Sequence, residues 1–314
     1  MIAENKFSKI IALWKEDKKQ YVKRSTFAAY TLLIENHILP SFGEMALVEE
    51  QDVQTFVFRK LNEGLSHKTI KDILIVLKMI LRFGVKNQMT EYRQIDIKFP
   101  TERDKHSIDI LSRSHQKQIM EYIRLHFTFK NLGIYICLSA GMRIGEICAL
   151  TWDDLDVENG IIHVRKTIQR IYVIEEHRKY TEVILDTPKT KNSIRTLPLP
   201  QQAVDLLVAK HQKHPRNPYL FPSPKTGTMY DPDAFRRTHD KILKAIGAEH
   251  IRFHDLRHTF ATLSLKSGVD VKTLSGALGH YSAGFTLNTY THATAQMKQD
   301  AADTIGGVIS QQMR

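Results

Sequence analysis

A scattered set of side chains in this sequence could together carry out chemistry at phosphorus. Arg143 stands in Gly141-Met142-Arg143-Ile144-Gly145-Glu146, after a glycine turn and at the start of an apolar helix, a place suited to anions. Lys189 lies in the polar run Thr187-Pro188-Lys189-Thr190-Lys191-Asn192. His254 and Arg257, three residues apart in His254-Asp255-Leu256-Arg257-His258, share one face of a helix start. His280 follows Gly279 at a helix boundary, and Tyr290 comes ten residues later in Thr289-Tyr290-Thr291-His292. The set is rich in cations and hydrogen-bond donors and has no paired carboxylates. That suits a phosphoryl-transfer transition state, whose charge sits on its oxygens. Tyrosine can act as the covalent nucleophile. Its free pKa is about 10, so it needs cations or a base beside it to lose its proton at neutral pH.

Each residue alone has a plainer reading. An Arg after a helical turn makes a surface ion pair, a Lys in a polar loop is solvated, and a Tyr among threonines packs. Their occurrence together, in this order, outweighs those readings. Within the set there are rivals. Tyr281 adjoins His280 and competes with Tyr290, and Lys191 competes with Lys189. His258 points about 100° away from Arg257 on a helix and reads as a packing residue. Asp153, Asp154 and Asp156 read as turn and cap residues ahead of a strand, not as a metal site. No Cys/His group has zinc spacing.

These residues need elements to hold them. The pattern predicts an α+β protein, mostly α. The N-terminal region reads as four helices, residues 1–91, enough for one small core. Phe7, Ile10, Ile11 and Trp14 mark the first. Ser25 is expected to cap the second, which should stop at Pro40. Val53, Phe56, Val57 and Leu61 mark the third, and Ser66 caps a fourth carrying Ile70, Ile73, Leu74, Leu77, Ile80 and Leu81. Residues 92–108 are polar, contain Pro100, and read as an interdomain linker. The remainder, 109–314, mixes helices with a small antiparallel sheet. Helices are expected at 114–127, 131–150, 201–212, 231–246, 254–267, 270–278 and 284–291, with a tail helix at 294–312. Strands are expected at 161–166, 168–174, 183–186 and 194–199, with Thr187–Asn192 as the hairpin loop between the last two.

Composition narrows the setting. The 314 residues are 42% hydrophobic and 25% charged, which excludes wholesale disorder. The net charge of +11 fits a polyanion partner, and the excess is spread over both halves. No apolar run approaches the ~20 residues of a membrane span, and no signal-peptide core opens the chain. The two cysteines, Cys137 and Cys148, lie in apolar helical context and read as cytoplasmic thiols that pack.

The four segments, in their order and spacing, resemble the tyrosine recombinase (phage integrase) family over nearly the whole chain. Thr286-Leu287-Asn288-Thr289-Tyr290-Thr291-His292-Ala293-Thr294 is most similar to integrases of phages and conjugative transposons. The resemblance implies an N-terminal core-binding domain, a catalytic domain from about residue 107 onward, and a site-specific recombinase acting on double-stranded DNA. Tyr290 would attack the scissile phosphate to form a 3′-phosphotyrosyl link. Arg143 and Arg257 would hold the non-bridging oxygens, and His254 would assist proton transfer at the nucleophile. His280 would donate to the phosphate, and Lys189 would protonate the leaving 5′-oxygen. Glu146 matches a supporting acidic position. The resemblance further implies a homotetramer at synapsis, with the 294–312 tail a candidate for docking on a neighbour and a DNA-bending accessory protein compatible with the assembly. The reaction as read needs no metal and no cofactor, because the phosphotyrosine bond conserves the energy of the broken diester. Many integrases of mobile elements carry an extra small N-terminal domain that binds arm-type DNA sites; here a core-type helix begins near residue 6, so that domain is expected either to be absent or to have been removed. The outcome would be integration or excision of a mobile element. A dimer resolvase of the same chemistry, a type IB topoisomerase and a non-catalytic DNA-binding protein are the alternatives.

Overall fold

The computed structural model describes residues 6–101, 111–175, 178–188, 190–213 and 216–290, with 302, 303 and 305. The chain divides into two compact units, residues 1–106 with 170–182, and 107–169 with 183–314.

The first unit packs α1 (Phe7–Lys19), α2 (Arg24–Leu33), α3 (Leu39–Phe42), α4 (Glu50–Asn62) and α5 (His67–Lys86) around one core. In α1, Phe7, Ile10, Ile11 and Trp14 are buried, as an i, i+3, i+4, i+7 stripe requires. The Ser66 hydroxyl accepts the Thr69 N–H at 3.1 Å and starts α5. Two local expectations fail. Helix α2 starts at Arg24, so Ser25 is a buried first-turn residue and not the cap. The helical path also does not stop at Pro40. A π-helical turn, Ile34–Ile38, precedes α3, which carries Pro40 near its start. The widened turn makes room for a ring that lacks an N–H and would strike the carbonyl four residues back.

Residues 92–101 have no regular structure, but they are bound to the helices. The Lys98 N–H donates to Gln54 Oε1 and Gln54 Nε2 donates to the Lys98 carbonyl, both at 3.0 Å. Ile95, Ile97 and Phe99 pack against the core. This half of the expected linker is an extended strap. Its apolar residues alternate, a period that a search for helical spacing passes over. Residues 102–108 lie outside the described residues.

The second unit is built from α6 (Arg113–Leu125), α7 (Phe129–Ala140), α8 (Ile144–Ala149), α9 (Gln201–Lys213), α10 (Pro232–Ala245), α11 (Asp255–Lys266), α12 (Val271–Leu278) and α13 (Ala283–Tyr290). The single helix expected at 131–150 is two, parted at Gly141, whose φ of +63° closes α7 in the left-handed region. A Cβ there would stand 2.4 Å from the Phe260 ring. Cys137 on α7 and Cys148 on α8 are both free and buried.

The strands form two sheets. β1 (Leu155–Asp156), β2 (Ile161–Val164) and β5 (Arg195–Pro198) pair in that order, with Ile161 opposite Pro198 and Val164 opposite Arg195. β3 (Thr167–Glu175) and β4 (Arg178–Asp186) form a separate ribbon. The segment Thr187–Asn192 is therefore no hairpin loop. It crosses from one sheet to the other and ends in a 3-10 turn, Lys191–Ser193. The expected tail helix at 294–312 lies outside the described residues apart from 302, 303 and 305. Among the described residues, no helix is long and apolar enough to cross a membrane.

Candidate active site

Arg143 is the N-cap of α8. Its N–H donates to Glu146 Oε2 at 2.9 Å and its Nη1 to Glu146 Oε1 at 2.8 Å. The short helix thus fixes the arginine at both backbone and side chain. Glu146 is 3% exposed and takes a second, bidentate partner: Arg195 donates Nη1 to Oε1 at 2.9 Å and Nη2 to Oε2 at 2.8 Å. Burial alone would raise the carboxyl's pKa. Arg195 above all, then Arg143, overcome it and bring the value to about 2. Arg195 also donates Nε to the Ala277 carbonyl at 2.6 Å and Nη1 to the Ser193 carbonyl at 3.1 Å. One buried guanidinium therefore ties together β5, the end of the crossover, α8 and the last turn of α12.

Arg257, on the first turn of α11, is 1% exposed. Its Nη1 donates to the Gly141 carbonyl at 2.8 Å, and its Nη2 to the Leu278 carbonyl. Those two carbonyls belong to the C-terminal caps of α7 and α12, whose unpaired oxygens suit a cation. Desolvation and the neighbouring Arg143 pull its pKa down, yet a guanidinium keeps its charge at neutral pH. His254 is the exposed N-cap of α11, its pKa lowered by partial desolvation and then by His258 and Arg257. Gly279, at φ +61°, closes α12 and aims His280. His280 Nδ1 lies 2.8 Å from the buried Thr286 hydroxyl. Desolvation, then Arg257 and Arg143, lower its pKa to about 3, so the ring is neutral. In the tautomer whose Nδ1 accepts from the Thr286 hydroxyl, the proton is on Nε2.

Tyr290 ends α13, 7% exposed, its ring packed on Ala261, Leu274 and Leu278. The His280 ring lies parallel to it, with centroids 6.1 Å apart. Its hydroxyl is 2.8 Å from His258 Nδ1. Burial raises its pKa, against the opposing pull of Arg257 and Arg143.

A cleft of about 490 Å³ opens beside Arg143, Glu146, Gly279 and His280, while Arg257, His254 and Tyr290 are not part of its lining. Lys189 lies outside the described residues, as does the Lys191 side chain; Pro188 and Thr190, on either side of Lys189, line the cleft. Tyr281, 83% exposed, stands on its rim, far less enclosed than Tyr290. A larger cavity of about 810 Å³, between Phe129, Phe221 and Tyr230, contains none of these residues. Asp154 accepts from the Thr151 N–H at 3.0 Å and hydroxyl at 2.7 Å, a capping geometry, and pairs with Arg165 and Lys166.

Two further residues sit at the centre: His258, expected to be a packing residue but hydrogen-bonded to the Tyr290 hydroxyl, and Arg195, which the sequence reading does not single out. His258 was signalled by its i, i+4 spacing from His254, which puts both on one face of α11. Arg195 was signalled by strand alternation, since it shares the inward face with Leu197 while Ile194 is exposed.

The chain is also similar to known proteins over most of its length. Residues 110–297 match the model of the phage integrase family, and residues 6–60 match the phage integrase N-terminal SAM-like domain. A protein of Caldanaerobacter subterraneus subsp. tengcongensis described as tyrosine recombinase XerC-like is 30% identical over 309 residues, covering 90% of this chain and 78% of the relative. The transposase from transposon Tn916 of Enterococcus faecalis is 25% identical over 281 residues, covering 80% of this chain and 66% of the relative. The solved Tn1549 transposon integrase, in complex with a circular intermediate DNA, superposes with a TM-score of 0.75 at 21% identity, over 96% of this chain and 99% of the other.

Proposed function

The chain belongs to the phage integrase family of tyrosine recombinases, enzymes that cleave and rejoin DNA, and on that premise we propose that it recombines duplex DNA at specific sites through Tyr290, inserting or excising a mobile element. The observation that carries the residue assignment is the convergence of Arg143, Arg257, His254, His280 and Tyr290 from separate helix ends. That one constellation combines an enclosed hydroxyl with fixed cations and donors. The mobile-element role rests on likeness to the transposon proteins named above.

The proposed roles are those the family resemblance implies, and the geometry of the described residues is compatible with them. Arg143 presents its remaining donors to the cleft, and Arg257, locked by two carbonyls, adds fixed positive charge behind it. Such preorganised charge stabilises the oxygens of the phosphoryl group without reorganisation during the reaction. His280, neutral with its proton on Nε2, is a donor to that group. Tyr290 Oη attacks phosphorus and the 5′-oxygen leaves; Lys189 is the proposed donor of its proton. Glu146 aligns Arg143. The N-terminal helical unit, residues 1–91, would grip the duplex together with the catalytic unit, mostly through phosphates. The proposed active assembly is a tetramer of this chain on two DNA sites.

A suicide duplex, nicked beside the cleavage point, tests the nucleophile. Wild-type protein should be trapped covalently, with the adduct mapping to Tyr290. Tyr290→Phe should bind the site and form no adduct. An adduct with the Phe variant, mapping to Tyr281, would make Tyr281 the nucleophile.

A further inference from the structure

The Tyr290 hydroxyl has one hydrogen-bond partner among the described residues, and it is not the histidine of the His-x-x-Arg segment. It is His258, whose Nδ1 lies 2.8 Å away. His254 is four residues back on the same helix face. Its ring meets that of His258 edge to face with centroids 4.8 Å apart, and no hydrogen bond joins it to Tyr290.

We propose that His258 is the catalytic base of strand cleavage, taking the Tyr290 proton on Nδ1 as the phenolic oxygen attacks phosphorus. The proposal rests on Tyr290 being the nucleophile. The Tyr290 O–H bond breaks, its proton goes to Nδ1, and its electron pair forms the Oη–P bond. The P–O5′ bond breaks, and its electron pair leaves on the 5′-oxygen, which is protonated by the general acid. In rejoining, the incoming 5′-hydroxyl displaces Tyr290, and His258 returns the proton to Oη.

The surroundings fit that role. For Nδ1 to accept, the ring must carry its proton on Nε2. That edge faces the carboxylate of Asp255, with Nε2 and Oδ1 3.9 Å apart. Asp255 is fully buried and held by Arg252 through Nε at 3.1 Å and Nη2 at 3.0 Å. A carboxylate fixed behind a histidine orients the ring and favours the imidazolium that forms when the proton arrives. Burial keeps the resting ring neutral, with its lone pair available. The attacking hydroxyl needs a base: enclosure raises the Tyr290 pKa, and Arg257 and Arg143 do not cancel that effect. Among the described residues, the titratable and charged groups facing His258 are Asp255, Arg252, Arg257, His254, His280 and Tyr290.

The test is single-turnover cleavage of the nicked duplex across pH, with site binding measured in parallel. His258→Ala should bind the site but cleave ~100-fold or more slowly, the size expected of a lost general base. Added imidazole should restore rate to His258→Ala, and the acid limb of the wild-type profile should vanish in it. His258→Gln, which can accept a hydrogen bond but cannot take up a proton, should be equally slow and serves if the Ala variant folds poorly. His254→Ala should keep the acid limb. The proposal is overturned if the His258 variants cleave within about threefold of wild type, or are slow with the acid limb intact. It is equally overturned if the limb disappears with His254→Ala instead. Failure of the Tyr290 assignment is read separately, as an adduct on Tyr290→Phe, and does not depend on the His258 rates.

Discussion

Glu146 sits where two arginines need one carboxylate. Its pKa of about 2 lies below the 4.5 of an unperturbed glutamate, so it favours the folded state only while ionised. That contribution is complete above about pH 4.5 and is lost as pH falls toward 2. Arg195→Met leaves the buried charge with Arg143 alone. We expect a loss of ~3–5 kcal/mol, as for other broken buried pairs, and acid unfolding that begins at higher pH, both read from melts across pH 2 to 7. Because Arg143 is aligned through Glu146, cleavage by Arg195→Met should also fall more than site binding. Glu146→Met combined with Arg195→Met should recover part of the stability, since the charge left without its partner, Arg143, is a third exposed and can be solvated. Residue types and order were enough to propose Arg143, His254, Arg257, His280 and Tyr290 as one group, because cations, histidines and a tyrosine in that sequence are uncommon together, and the helix ends do bring those five near one another. Arg195 and His258 were legible only through periodicity: one lies on the inward face of a strand, the other one helical turn beyond His254. Their partners, Glu146 and Tyr290, are 49 and 32 residues away along the chain, and no local rule reaches that far.

The elements that deliver these side chains are helix ends. Arg143 and His254 cap N-termini, His280 follows a C-terminal glycine, and Arg257 is bound by two C-terminal carbonyls. Gly141 is the most exacting of these joints, combining a φ of +63° with a Phe260 ring that leaves no room for a methyl group. Gly141→Ala should cost ~1–2 kcal/mol for the left-handed backbone, and more for the displaced ring. A lowered melting temperature with a disproportionate loss of cleavage would show that the turn places Arg143 and the carbonyl beneath Arg257. Helices were readable wherever an apolar stripe persisted, as in α1 and α5. Strand partners were not. β-branched runs marked β3, β4 and β5, but propensity is silent on which strand pairs with which. β5 follows β4 in sequence and still joins β2 across the other sheet. The extended strap at 92–101 was missed because its apolar residues alternate instead of following a helical period, and its remaining contacts are backbone hydrogen bonds to Gln54 and Glu50.

On the scale of the whole molecule, each unit has its own core. Phe7, Trp14, Ile38 and Ile80 belong to one, and Ile134, Ile162, Leu197 and Phe235 to the other. Two cores were foreseeable from length and from the polar stretch after residue 91; that residues 170–182 cluster with the first unit was not. The second core also encloses the chain's two sulfhydryl groups. Cys137 and Cys148 are buried, and burial pushes both thiols far up their titration range. Thiolates are the reactive species, so both are chemically silent in the folded protein. A thiol-specific chromogenic reagent should therefore register almost nothing under native conditions and two equivalents after denaturation. That silence has a practical use. A single cysteine introduced at an exposed position, such as Tyr92 or Tyr172, would be the one site open to maleimide dyes or crosslinkers. Donor and acceptor fluorophores placed in this way could follow DNA capture and strand exchange on wild-type sulfur chemistry, with no need to remove either natural cysteine.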